Sequence, residues 1–214
     1  GGFRFTRPDD LAIEVIKNVL ASVPQLEAKR IDDVIVGNAV PEAEQGLQVG
    51  RIIAARALGI EVPGMTINRY CASGLEAIAI ATAKIRTGMA ECIVAGGTES
   101  MSLVPTAGWK TVPSYSIAKD DPDYYLSMGL TAEAVAKEYK VSREDQDLFS
   151  YHSHQKAITA IQNGYFKTGI LPVTVEDIYL DAKGKRQSKS YVMDTDEGPR
   201  KDTSVEVLSK LKPV

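Results

Sequence analysis

Cys71 is the residue best suited to act as a nucleophile in this sequence. It stands in Ile67-Asn68-Arg69-Tyr70-Cys71-Ala72-Ser73-Gly74-Leu75-Glu76-Ala77-Ile78, where an apolar extended stretch passes into an alanine-rich helical pattern through a turn of small residues. A thiol placed where a helix begins faces unsatisfied backbone N–H groups and the positive end of the helix dipole, both of which favour the thiolate. The thiolate is the attacking species in covalent catalysis by cysteine. The bland alternative is a buried structural thiol.

The other candidates are weaker. Cys92 lies in the apolar run Glu91-Cys92-Ile93-Val94-Ala95, which reads as a strand, and is expected in the core. His152 and His154, the only histidines, are two positions apart on a helical pattern, so their side chains diverge and they cannot chelate together. A solvated or capping role is expected for them. Two cysteines at this spacing argue against a disulfide framework or a zinc site. Gly96-Gly97 has neither phosphate-loop nor dinucleotide spacing. The basic cluster Lys183, Lys185, Arg186 and Lys189 reads as a solvated hairpin. A net charge of −3 gives no reason to expect nucleic acid, and no apolar run approaches the length of a membrane span.

The elements that must position Cys71 follow from periodicity. Val62-Pro63-Gly64-Met65-Thr66-Ile67 predicts a strand entered through Pro-Gly. Residues 74–86 place Leu75, Ile78, Ala79, Thr82 and Ile85 at helical spacing, with Gly88 just past the end. The strand around Cys92 follows, so the unit is strand, helix, strand, with a right-handed crossover between parallel neighbours. Upstream, Thr6-Arg7-Pro8-Asp9 predicts a box-like cap for a helix with a wide apolar face of Leu11, Ala12, Val15, Ile16, Val19 and Leu20. Residues 34–39 predict a buried strand, and 48–58 a helix stopped by Gly59. This alternation specifies an α/β chain with a mainly parallel sheet. After Pro105 a long irregular stretch is expected, then helices over 131–139 and 142–163, then short strands around Asp181-Ala182-Lys183-Gly184.

With these elements in place, the run 67–85 resembles the acyl-enzyme signature of the thiolases. The resemblance rests on Asn68 three residues before Cys71, Ala72-Ser73-Gly74 after it, and Ala95-Gly96-Gly97-Thr98-Glu99-Ser100-Met101-Ser102 downstream. It continues through Met128-Gly129-Leu130-Thr131-Ala132-Glu133, Ser142-Arg143-Glu144-Asp145-Gln146-Asp147 and Lys210-Leu211-Lys212-Pro213, and so covers nearly the whole chain. Cys-Ala-Ser-Gly-Leu-Glu-Ala is more like the degradative 3-ketoacyl-CoA thiolases than the biosynthetic acetoacetyl-CoA enzymes, which tend to carry Cys-Gly-Ser-Gly. Ser127 also stands where the biosynthetic pattern has His.

The resemblance implies a thiolase-like fold: a parallel-type sheet with helices, part of a layered αβαβα body, with an inserted α+β loop domain. Residues 1–112 would form the core without its first strand, 113–202 the loop domain over the CoA site, and 203–214 the return to a core whose C-terminal half is absent. It implies cleavage of a 3-ketoacyl-CoA by CoA to acyl-CoA and acetyl-CoA through an acyl-Cys71 intermediate, as in fatty-acid β-oxidation. The alternatives are a biosynthetic acetoacetyl-CoA thiolase and a non-catalytic lipid- or CoA-binding member of the superfamily. Met128 would line the acyl and pantetheine pocket, or simply pack in the core. Arg200, in Gly198-Pro199-Arg200-Lys201-Asp202-Thr203, would lie near the CoA adenine, or be a solvated loop arginine. No metal or redox cofactor is implied, since CoA is a substrate. The implied partners are acyl-CoA and CoA, in a homodimer or homotetramer of the bacterial cytoplasm, or alternatively of the mitochondrial or peroxisomal matrix. The family's Gly-His-Pro motif and second catalytic cysteine do not occur, so residues 1–214 alone are expected to be inactive.

Overall fold

The computed structural model describes residues 1–213. Contacts divide the chain into two units, one made of Gly1–Thr111 with Leu171–Met193, the other of Val112–Ile170 with the chain from Asp194 onward.

The first unit is organised by β1 (Asp33–Gly37), whose five residues are all buried. It pairs in parallel with β2 (Gly64–Ile67), Val34 opposite Gly64, and with β3 (Ile93–Gly97), Asp33 opposite Ile93. The order β2-β1-β3 places β1 between the two strands that the following helix connects. The strand–helix–strand unit therefore spans an intervening strand instead of joining neighbours, because the most apolar strand takes the centre, where both faces are covered.

Side-chain alternation along β1 assigns its two faces. Val34 and Val36 pack with Ile13 and Ile16 of α1 (Pro8–Ala21) and with Val49, Ile53 and Ala54 of α2 (Val49–Ala57). Ile35 points the other way, onto Ala77 and Ala81 of α3 (Ser73–Arg86). The buried stripe of α3 is thus its alanines. Leu75 and Ile78, two of the positions that mark the helix in the sequence, are 72% and 51% exposed. Small side chains let α3 approach the sheet closely, with Ile80 half-buried against the same cluster, while Leu75 and Ile78 face away. Gly88, at φ +74°, closes the helix as expected, with its N–H donating to the Ile85 carbonyl and that of Met89 to Lys84.

α1 begins differently from expectation. Arg7, not Thr6, occupies the N-cap, with no side-chain cap bond, and Pro8 opens the helix. The Arg7 guanidinium instead clasps the Asp9 carboxylate at 3.0 and 3.1 Å. Val15 and Val19 remain about half exposed. With Leu11, Cys92 and Val94 they line an open apolar groove of about 500 Å³. Cys92 is accordingly half-buried and packed against the core rim rather than enclosed. Its strand is anchored by Asp32, whose carboxylate accepts from the N–H groups of Cys92 at 3.0 Å and Glu91 at 2.7 Å. Those two bonds, that from Cys92 first, hold the Asp32 carboxyl below its usual range.

The antiparallel hairpin of β4 (Val173–Leu180) and β5 (Arg186–Met193) turns at Asp181–Lys185 as expected. Asp181 accepts from the N–H groups of Lys183 and Lys185, both at 2.9 Å, and Gly184 takes φ +73°. The hairpin groups with the first unit, where Asp177 pairs with Arg4 and a Cβ at Gly2 would meet Met193 and Tyr191. This grouping differs from the expected division at 113–202.

The second unit contains α4 (Tyr115–Asp120), α5 (Met128–Tyr139), α6 (Arg143–Gln162) and the short α7 (Val205–Leu208). The stretch after Pro105 is therefore less irregular than its Pro and Asp content suggested. Ser142 caps α6, accepting from the Asp145 N–H at 3.1 Å and donating to its carboxylate at 2.8 Å. Arg143, bonded to Asp147 at 2.8 Å, donates to the carbonyls of Leu208 and Leu211 at 2.6 and 3.0 Å. Residues 203–213 thus attach to α6. Among the described residues no helix is long and apolar enough to cross a membrane.

Candidate active site

Cys71 lies four residues beyond the carboxyl end of β2 and just before Ala72, the N-cap of α3. Ligands of open α/β sheets gather at this end of the strands. Its side chain is exposed.

The turn that presents it is held from both sides. Tyr70 adopts φ +47°, a left-handed conformation that costs a non-glycine residue about 1 kcal/mol or more. Asn68 compensates by accepting from the Tyr70 N–H at 2.8 Å, while its amide donates to the Ala39 carbonyl at 3.0 Å. Ser73 closes the other side, its hydroxyl donating to the Tyr70 carbonyl at 2.6 Å and accepting from the Arg69 N–H at 2.9 Å. Arg69 pairs with Glu76 of α3 at 2.9 Å. Cys71 is thus suspended between two pinned residues, and the N-cap residue of α3, Ala72, makes no side-chain cap bond.

A polar shelf, buried at Asn38, Gln45 and Ser100, supports the strand ends. Gln45, fully buried, donates to the Glu99 carboxylate at 2.5 Å and to the Val40 carbonyl at 2.9 Å, and accepts from the Ser100 N–H at 2.5 Å. Glu99 also accepts from the Ala39 N–H at 2.6 Å. Asn38 donates to the Thr98 carbonyl at 2.8 Å. Its Oδ1 is the one buried side-chain polar atom without a hydrogen-bond partner among the described residues. The sequence offered a partial signal here, since Asn68, Thr98, Glu99 and Ser100 belong to the motif segments around Cys71. Nothing marked Gln45, because a lone Gln in a loop has no periodicity to betray its burial.

The family model for the thiolase N-terminal domain matches residues 1–214. The chain belongs to the thiolase family. It is similar to the 3-ketoacyl-CoA thiolase of Bacillus subtilis, 47% identical over the whole chain, which spans 54% of that relative. It is also similar to the acetyl-CoA acetyltransferase of Pseudomonas aeruginosa, 40% identical over 95% of the chain and 53% of the relative. The crystal structure of the Bacillus anthracis acetyl-CoA acetyltransferase superposes with a TM-score of 0.82 at 32% identity, over all of this chain and 55% of the other. The chain thus spans about half the length of the thiolases it matches, and its parallel α/β sheet is that of the thiolase fold.

The remaining site candidates of this thiolase chain lie in the second unit. Met128 is the first residue of α5, exposed, and follows Ser127, whose hydroxyl caps the helix by accepting from the Leu130 N–H at 3.3 Å. Ordinary core packing does not describe Met128. Arg200 is exposed, and its backbone N–H donates to His154 Nδ1 at 3.1 Å. His154 therefore secures the segment carrying Arg200, a partner that the spacing of the two histidines could not reveal. Cys71 belongs to the first unit and both of these residues to the second.

Exposure orders the reactivity of the two thiols. Iodoacetamide at neutral pH is expected to alkylate the exposed Cys71 at least about ten times faster than the half-buried Cys92 in the native chain, with the two rates converging in denaturant. Peptide mass spectrometry over a time course reads this directly, and equal native rates would contradict the placement of both residues.

Proposed function

We propose that the protein carrying this chain is an acyltransferase of the degradative thiolase type, with Cys71 as its nucleophile. In this reading the Cys71 thiolate attacks the 3-keto carbon of a 3-ketoacyl-CoA. The bond between C2 and C3 breaks, and the departing enolate of acetyl-CoA is protonated at carbon. The acyl group remains on Cys71 as a thioester, which the thiol of a second CoA attacks to release acyl-CoA and restore the thiolate. The observation that carries this reading is the exposed Cys71, held in a pinned turn at the start of α3. Backbone N–H groups at that helix start would stabilise the oxyanion of the thioester stage. By family resemblance, the groups that take the Cys71 proton and protonate the enolate come from the half of the relatives that this chain does not match.

The motif residues Cys71-Ala72-Ser73-Gly74 and Ser127 support the degradative reading over acetoacetyl-CoA synthesis. Residues 113–202 are proposed to supply groups over the CoA, Met128 beside the acyl and pantetheine arm and Arg200 beside the nucleotide, in a homodimer or homotetramer without metal or redox cofactor. Thiolysis assays on the complete protein test this: 3-ketoacyl-CoA substrates with long acyl chains are expected to be cleaved with higher kcat/KM than acetoacetyl-CoA. Preference for acetoacetyl-CoA would favour the biosynthetic alternative. In the same assay, Arg200→Ala is expected to raise KM for CoA about ten-fold with kcat little changed, because contact with the remote nucleotide contributes equally to ground and transition states. An unchanged KM would remove Arg200 from the site.

A further inference from the structure

We propose that Gly37 is a positioning residue for Cys71, setting the depth at which the start of α3 seats on the sheet. Gly37 ends β1 and is paired in register with Ile67 of β2 on one side and Gly97 of β3 on the other. A Cβ placed on Gly37 would lie within 2.7 Å of three backbone atoms: the carbonyl carbon and oxygen of Ser73 and the nitrogen of Gly74. Backbone atoms cannot rotate away, so any side chain here must displace the first turn of α3. The need is for space and not for an unusual torsion, since Gly37 is not among the glycines with positive φ. The neighbouring glycines differ. A Cβ on Gly97 would approach the Gly37 carbonyl oxygen at 3.1 Å, and one on Gly96 or Gly74 would meet nothing within 4 Å.

The displaced residue is the one that holds the nucleophile turn. Ser73 is 4% exposed and bonds the backbone of both Arg69 and Tyr70, which flank the turn on the approach to Cys71. Asn68 grips the same turn while bonded to the chain two residues after Gly37, at Ala39. A methyl group at position 37 therefore wedges apart two anchors of one strained turn, and Cys71, the residue just before the N-cap of α3, shifts relative to the helix start. This inference rests on Cys71 being the nucleophile.

The test measures iodoacetamide rate constants at Cys71 and Cys92 in the native chain carrying Gly37→Ala, Ser73→Ala or, as a control, Gly96→Ala. Gly37→Ala is expected to slow Cys71 about three- to ten-fold, the range of a lost helix-terminus interaction, with Cys92 unchanged. Gly96→Ala should leave both rates at wild type. General loosening of the fold would move the readout in the opposite direction, accelerating both thiols. A folded Gly37→Ala chain whose Cys71 rate equals that of wild type overturns the proposal, as does acceleration of both thiols. Should Gly37→Ala not fold by circular dichroism, Ser73→Ala decides: it removes both pins without adding volume, and an unchanged Cys71 rate in it equally overturns the proposal. A wild-type Cys71 that reacts no faster than Cys92 would instead count against the nucleophile reading itself. In the complete protein, Gly37→Ala should lower kcat with KM for CoA unchanged.

Discussion

Cys71→Ala in the complete protein is expected to lower thiolysis by at least about a thousand-fold, because the residue proposed to carry the acyl group is removed and the two-step route through it is lost. The same substitution should leave circular dichroism and the unfolding midpoint near wild type, since Cys71 is exposed and belongs to neither apolar cluster of the core. Brief incubation with a 3-ketoacyl-CoA, followed by acid quench and digestion, should place the acyl group on the peptide containing Cys71. Recovery of the adduct on Cys92 would sink the assignment. Cys71→Ser separates nucleophile from scaffold, since it keeps the size of the side chain and replaces the thiolate by a poorly ionised hydroxyl. It should be almost as inactive as Cys71→Ala.

Ile35→Ala is expected to cost about 3–4 kcal/mol of stability, the range for deleting a buried branched side chain with incomplete collapse of the cavity. Ile35 is fully buried at the centre of β1 and is the largest buried residue of the cluster through which α3 packs, Ala77 and Ala81 being its buried partners. Ala77 and Ala81 carry no side chain long enough to fill the void, which leaves only the partly buried Met65, Ile67, Ile80 and Ile93 to relax toward it. Against a typical stability of about 5–15 kcal/mol this is a large fraction. Ile35→Val, which removes one methylene, should cost about 1 kcal/mol. Urea unfolding followed by circular dichroism reads both values. A loss under about 1 kcal/mol for Ile35→Ala would mean that α3 is held mainly by something other than this contact.

How far the sequence could be read depended on the range of the interaction concerned. Helix and strand positions around Cys71 were apparent from local pattern alone, as was Gly88 at the end of α3, because a positive φ there needs a residue without a Cβ. Local pattern misled at the start of α1, where a capping motif seemed present at Thr6, yet Arg7 took the N-cap and spent its guanidinium on Asp9. It misled again on α3, whose longer apolar side chains at helical spacing are not its packing face.

The residues of the proposed chemistry were legible in the sequence: a cysteine between a strand and a helix, with Asn68 and Ser73 at offsets that let their side chains bond the intervening backbone. Such contacts span five residues or fewer, and spacing alone constrains them. Three other features belong to the tertiary structure alone. They are the order β2-β1-β3, the burial of Gln45 against Glu99, and the approach of Gly37 to the backbone of Ser73. Each joins residues at least 30 positions apart. Such contacts form only when the whole apolar surface of β1 is buried at once, and periodicity within a single segment carries no information about its distant partner.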